Sequence, residues 1–270
     1  QLFDMVIETA YNIYIDKMWE ASKTAMERLR EIVLWGDSIM RGVVYDEAKQ
    51  KYSLASLNGA EAASRVLGIP LRNRARMGCT VDKGLTLIQK DLKTEKEEGE
   101  GIEAALLEFG GNDCDFNWGQ VAADPEAKHQ PRTPLDRFSV YLEEMIRLVR
   151  RHGMRPVLVT LPPVHAERYL TFICRPSRER EGLNRDRILS FLGDVQFIYR
   201  WHERYNNSVV RMATEAGCLV ADVRSAFLEE RHYEDRLCAD GIHPNEKGYT
   251  LIEQALEDFG FQCRARGIIA

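Results

Sequence analysis

The chain has 270 residues, 44% of them hydrophobic, enough to bury a sizeable core as one enzyme-sized domain without disulfide or metal staples. Its formal charge of −5, with Lys and Arg scattered among acids, excludes the concentrated basic footprint of a nucleic-acid or anionic-membrane binder. The six cysteines (Cys79, Cys114, Cys174, Cys218, Cys238, Cys263) fall singly, so they read as reduced thiols and not as a zinc site or disulfide scaffold, and no apolar run is long enough to span a bilayer.

The first residues, Gln1-Leu2-Phe3-Asp4, carry no basic n-region, apolar core or cleavage site, which makes cytoplasmic the default location; the missing Met leaves a removed signal peptide or a trimmed end open. From Ile7 to Leu29, apolar side chains at Ile7, Tyr11, Tyr14, Met18, Ala21, Ala25 and Leu29 recur every three or four residues and predict a helix, an amino-terminal extension over residues 1–30. Its apolar face packs on the domain's own surface or, through its aromatic and Met-rich stripe, makes a homo-oligomer contact.

From Ile32 the pattern becomes strand, then helix, repeated. Strands are predicted near Ile32–Trp35, Ile69–Leu71, Ala104–Phe109, Pro156–Leu161 and Cys218–Ala221, with helices near Gly59–Leu67, Asp82–Lys93, Pro134–His152 and Phe197–Ala216. This alternation predicts an α/β fold: a five-stranded parallel sheet between helices, a three-layer α/β/α sandwich over residues 31–260, with 261–270 as a tail. Lys90–Gly101 reads as a solvated helix end and surface loop. Two long connections, Cys114 to Thr133 and Pro162 to Gln196, read as irregular; both leave carboxyl ends of strands, the face on which open α/β sheets bind ligands, and so are expected to build a substrate pocket.

Three short motifs punctuate this pattern. Gly36-Asp37-Ser38 follows the apolar run Ile32–Trp35, Gly110-Gly111-Asn112-Asp113 follows Ala104–Phe109, and Asp240-Gly241-Ile242-His243-Pro244 precedes the terminal helical stretch. Alone, each is most simply a turn or a helix start. Together they describe a nucleophilic serine with its base. A serine hydroxyl needs a neighbouring group to take its proton as it attacks a carbonyl; the His243 imidazole can do so, and Asp240, three residues away, can hold the other ring nitrogen's proton. Asp37 and Asp113 are expected to hold the turns that carry Ser38 and Asn112.

Over about Ile32 to Phe259 the chain resembles the SGNH hydrolases, also called GDSL esterases and lipases. Gly36-Asp37-Ser38 resembles the first motif block, Gly78 the second, Gly110-Gly111-Asn112-Asp113 the third and Asp240-x-x-His243 the last, with Ile39 where the family's name has Leu. The resemblance implies a flavodoxin-like fold and a serine esterase acting through an acyl-enzyme, with Ser38 as nucleophile, His243 as base and Asp240 as its partner. It also implies an oxyanion hole made of the Ser38 and Gly78 backbone N–H groups and the Asn112 side-chain amide. Neither a metal nor another cofactor is expected.

The family includes lipases, thioesterases, acyltransferases and sugar deacetylases, so the loops must decide the substrate. Their polar and charged character, with Phe116 and Trp118 available to stack on a sugar, points to a carbohydrate acetyl esterase on soluble oligosaccharides; acyl-CoA thioesterase or lysophospholipase is the alternative, and a catalytically silent binding module the alternative of another class. Trp118, Phe116 and His165 are the candidate substrate-binding residues. Trp201, Tyr199 and His202 read as packing residues, and His152 as a helix end. The expected partners are a small-molecule or oligosaccharide ester, with no nucleic acid and no membrane.

Overall fold

The computed structural model describes residues 29–94, 102–176 and 181–269. The helix expected over Ile7–Leu29, with its oligomer stripe, lies outside the described residues apart from Leu29, as do residues 95–101 of the expected surface loop. The strands in chain order are β1 (Leu29–Gly36), β2 (Val43–Asp46), β3 (Lys51–Leu54), β4 (Leu71–Asn73), β5 (Ile102–Glu108), β6 (Arg155–Val159) and β7 (Leu219–Ala221). The helices are α1 (Ser38–Arg41), α2 (Gly59–Leu67), α3 (Val81–Thr94), α4 (Trp118–Ala123), α5 (Leu135–Arg151), α6 (Ala166–Cys174), α7 (Arg185–Leu192), α8 (Phe197–Ala216), α9 (Val223–Leu228) and α10 (Glu246–Ala265).

Five strands form one parallel sheet in the order β4-β1-β5-β6-β7, and β2 and β3 pair apart from it as an antiparallel hairpin. Because successive strand side chains point to opposite faces, Val33 and Trp35 of β1 enter one core and Leu34 the other; on β5, Ala105 and Leu107 oppose Ala104 and Leu106 in the same way. Helices α3, α5 and α8 cover the first face through Ile88, Phe138, Met145 and Tyr205; α2, α9 and α10 cover the second through Ala63, Phe227, Tyr249 and Ile252. Each fully buried Leu, Ile or Phe in these layers stabilises the fold by roughly 1.5–3 kcal/mol.

The second sheet strand begins two residues later than its apolar run. Pro70 has no N–H for a ladder and contributes only its carbonyl, which accepts the Ile32 N–H at 2.8 Å, so pairing starts at Leu71 opposite Ile32. Ile69 instead joins a small core with Leu67, Cys263, Ile268 and Ile269. The boundary expected at residue 260 thus falls inside α10, whose end packs on the sheet's amino-terminal edge.

The segment Pro162 to Gln196 is not irregular. It holds α6 and α7, and Cys114 to Thr133 holds α4; Asn117, His165 and Asn184 cap these helices through their side chains. Phe116, Trp118, Val121, Leu170, Ile173, Ile188 and Leu192 turn inward to make a separate apolar cluster. Charged residues such as Glu126, Lys128 and Glu167 lie exposed, while Asp115 and Arg132 border the cavity. Among the described residues no helix is long and apolar enough to cross a membrane.

The strand order reverses between β1 and β5, where one connection departs toward β4 and the next toward β6. In such sheets the crevice beyond the carboxyl ends of these two strands receives ligands. Ser38 follows β1, and Asn112 follows β5.

Candidate active site

At the end of β1, Asp37 caps α1: its Oδ1 accepts the Ile39 N–H at 2.8 Å, which holds Ser38 in the first turn of a four-residue helix. The Ser38 side chain meets His243 across the molecule, its Oγ 2.9 Å from Nε2. On the far side of the ring, Nδ1 lies 2.6 Å from Asp240 Oδ2, which requires the proton on Nδ1 while the imidazole is neutral and leaves Nε2 free to accept. Asp240 Oδ1 accepts the backbone N–H groups of Ile242 and His243, both at 3.1 Å, so one carboxylate orients both the turn and the ring.

That turn is itself held from two sides. Leu237 bridges to Pro244, and the Cys238 N–H donates to the His243 carbonyl at 2.7 Å. Gly241 has φ +76, and a Cβ there would lie 2.7 Å from both the His165 carbonyl oxygen and the Tyr169 nitrogen, so only glycine lets α6 press onto the turn. The His165 N–H donates to the Gly241 carbonyl at 2.8 Å.

Ser38, Gly78 and Asn112 line one cavity together with His243. Gly78 has φ +69, the left-handed region that glycine enters freely, and no atom lies within 4 Å of where its Cβ would be, so the backbone there borders open space. Asn112 Nδ2 donates to Asp37 Oδ2 at 2.8 Å. Asp113 holds a different turn from the one expected: its Oδ1 accepts the Val81 N–H at 2.9 Å, at the start of α3, joining the Gly78 segment to the Asn112 turn. Burial pushes the Asp113 carboxyl up to about 7, and burial likewise raises Asp37, against the pull of the Ile39 N–H.

Two contacts at this site went unread in the sequence. The β2–β3 hairpin carries Tyr52 over the imidazole, with ring centroids 5.1 Å apart, and Tyr52 lines the cavity. Glu108, the last residue of β5, is fully buried beneath Asp37 and accepts its backbone N–H at 3.2 Å.

The cavity has a volume of about 330 Å³, within the range of small-molecule sites. Its walls are mostly apolar and aromatic, including Phe116, Trp118, Leu161, Val164, Phe197 and Trp201, with Asp115 and Arg132 as charged members. Trp118 is anchored, its indole N–H donating to Asp115 Oδ1 at 2.8 Å and to the Tyr169 hydroxyl at 3.2 Å, and Phe116 packs against Trp118, Phe191 and Trp201. His165 is not among the lining residues. It caps α6, with Nδ1 accepting the Arg168 N–H at 3.2 Å, because the turn after Pro163 directs it toward Gly241. His202, expected to be a packing residue, is buried and also borders the cavity. Among the described residues no group of three His, Cys, Asp or Glu side chains is placed to hold a metal.

The arrangement offers a hydroxyl hydrogen-bonded to an oriented imidazole, beside backbone and amide donors, at the mouth of an apolar chamber. Such a set can deliver an alkoxide equivalent to a carbonyl carbon and receive the negative oxygen that results.

The model of the GDSL-like Lipase/Acylhydrolase family matches residues 34–251. No curated protein sequence matches the chain. Among solved structures, the lipase/acylhydrolase from Enterococcus faecalis is similar at 20% identity, over 88% of this chain and 97% of that one, with a TM-score of 0.56. LAE5, an α/β hydrolase from the metagenome of Lake Arreo, is similar at 19% identity over 94% and 99%, with a TM-score of 0.55. A catalytic mutant of Axe2, an acetylxylan esterase from Geobacillus stearothermophilus, is similar at 17% identity over 92% and 99%, with a TM-score of 0.55.

Proposed function

This chain belongs to the GDSL-like lipase/acylhydrolase family and is an ester-hydrolysing enzyme, and from that premise we propose that it cleaves esters of short to medium apolar acyl groups through an acyl-enzyme on Ser38. The single observation that carries the reading is the unbroken line from Asp240 Oδ2 to His243 Nδ1 at 2.6 Å and from His243 Nε2 to Ser38 Oγ at 2.9 Å. In this mechanism His243 takes the Ser38 proton as Oγ attacks the carbonyl carbon. Asp240 holds the ring in place and stabilises the imidazolium. The tetrahedral oxygen is received by the Ser38 N–H, the Gly78 N–H and the Asn112 amide. His243 then gives the proton to the leaving alcohol, and water repeats the sequence to free the acid.

The mostly apolar cavity walls favour an alkyl or aryl acyl group over a charged one, since the lining Arg132 is already paired with Asp115 at 3.0 Å and a buried charge without a partner is costly. A second reading, removal of acetyl groups from soluble carbohydrates, is supported by the aromatic rings of Phe116 and Trp118 in the wall and by the similarity to Axe2, an acetylxylan esterase. Against it, the Trp118 edge is already committed to Asp115 and Tyr169.

The test is a panel of p-nitrophenyl acetate, butyrate, octanoate and palmitate with acetylated xylo-oligosaccharides and acyl-CoA, run on the native protein and on Ser38→Ala. Turnover greatest on butyrate or octanoate, abolished in Ser38→Ala, and labelling of Ser38 alone by a fluorophosphonate are expected. Full activity in Ser38→Ala would overturn the mechanism. Turnover confined to the acetylated oligosaccharides would replace the apolar substrate with the sugar acetate.

A further inference from the structure

Glu108 closes the apolar stretch Ala104–Leu107 and has no accessible surface. Its Oε2 accepts the Asp37 N–H at 3.2 Å, which sets its carboxyl group beside Asp37, and its Oε1 is buried without a partner. Two carboxyl groups can share a hydrogen bond only if one of them keeps its proton. Burial disfavours the charge of Asp37, but the Ile39 N–H and the His243 ring both favour it, so Asp37 is the better placed of the two to be the anion. Burial, reinforced by the charge of Asp37, holds Glu108 well above the ordinary carboxylate range.

Asp37 stands between Glu108 and the site. Its Oδ1 takes the Ile39 N–H and its Oδ2 takes Asn112 Nδ2, each at 2.8 Å. An amide nitrogen has two hydrogens; with one fixed on Asp37, the direction of the other is set. Were Asp37 to carry the proton, it would become a donor, and the Asn112 carbonyl oxygen would be its better partner, reversing the amide.

Building on the acyl-enzyme reading above, we propose that Glu108 is a positioning residue which, in its acid form, donates a hydrogen bond to Asp37, keeps Asp37 an anionic acceptor, and so fixes the Asn112 amide with its second N–H turned toward the oxyanion. Glu108 touches neither substrate nor Ser38 Oγ in this role. It acts through two intervening side chains, and its contribution exists only while Asn112 is present.

The experiment measures kcat and KM on p-nitrophenyl butyrate for Glu108→Gln, Glu108→Leu and Glu108→Met, each alone and combined with Asn112→Ala, with Ser38→Ala as control and thermal melting to verify folding. Gln replaces the acid's donor with an amide N–H, so kcat should stay within about fivefold of the native value, whereas Leu should lower kcat about 10- to 100-fold with little change in KM. In the Asn112→Ala background the Leu substitution should cost nothing further, the signature of two groups acting as a unit. Met, close to Glu in length, replaces Leu if that variant fails to fold. A Gln variant as impaired as Leu, a Leu loss undiminished in the Asn112→Ala background, or a folded Leu or Met variant with native turnover would each overturn the proposal. Native turnover in Ser38→Ala is a different result: it removes the acyl-enzyme reading and the proposal with it.

Discussion

His202 provides a test of the buried side of the cavity. The residue is 5% exposed, its Nδ1 has no hydrogen-bond partner, and the Arg224 guanidinium lies near it. Burial, and secondarily the like charge of Arg224, push its pKa from 6.5 down to about 3. With the folded value below the unfolded one, the unfolded chain takes the proton first as pH falls, so stability from the neutral imidazole is complete above 6.5 and is lost toward 3. Each pH unit in that window corresponds to about 1.4 kcal/mol, so roughly 3 kcal/mol should disappear between pH 6.5 and about pH 4. His202→Leu removes the titrating group and keeps an apolar volume. Urea unfolding followed by circular dichroism across this range should show the native protein losing about 3 kcal/mol relative to the variant. Parallel stability curves would refute a buried neutral His202, and a native protein that gains on the variant as pH falls would reverse the sign of the argument.

Three further outcomes follow from the geometry. Asn112→Ala should lower kcat about 100- to 1000-fold with KM nearly unchanged, since in the proposed mechanism the amide serves an oxygen that is negative only in the transition state; a pure KM effect would contradict this. Asp240→Asn should cost on the order of 10³–10⁴-fold in kcat by releasing the ring tautomer that Nδ1–H fixes, and a loss under tenfold would show that the 2.6 Å contact does not orient the base. Trp118→Ala should destabilise the protein by about 3–5 kcal/mol and enlarge the chamber, moving the turnover optimum to longer acyl esters. An unchanged chain-length profile would separate Trp118 from the acyl wall.

The parts of this molecule legible in its sequence are those whose signals are local. Apolar runs such as Ile32–Trp35 mark buried strands because parallel strands covered on both faces tolerate little charge, and the turns carrying Ser38 and Asn112 stand at their ends, while that of His243 precedes a helix. The hairpin Val43–Leu54 leaves little trace in the sequence because Lys51, Ser53 and Leu54 lie exposed, and the ring it sets against His243 is the half-buried Tyr52. Helices α6 and α7 were readable in the spacing of Leu170 with Ile173 and of Ile188 with Leu192, but the surrounding Arg and Glu residues obscured it. Apolar side chains of α6 line the pocket, although Asp115 and Arg132 of the first connection line it too. Glu108 did leave a trace, a carboxyl at the end of an apolar strand, where an unpaired charge would be expensive. Its meaning depends on Asp37, 71 residues away, and no window on the sequence contains both.

The separation of Ser38 from His243 also fixes a moment in the life of the molecule. The two residues stand 205 apart, with His243 just ahead of the final helix. At roughly 5–20 residues per second, a growing chain carries a completed Ser38 for about 10–40 s before His243 has been made. On the proposed mechanism the hydroxyl lacks its base throughout that interval, and the sheet's second face still lacks α10. Hydrolysis by that mechanism therefore waits for the segment that carries His243 and α10, and the onset of turnover in a translation reaction times its docking.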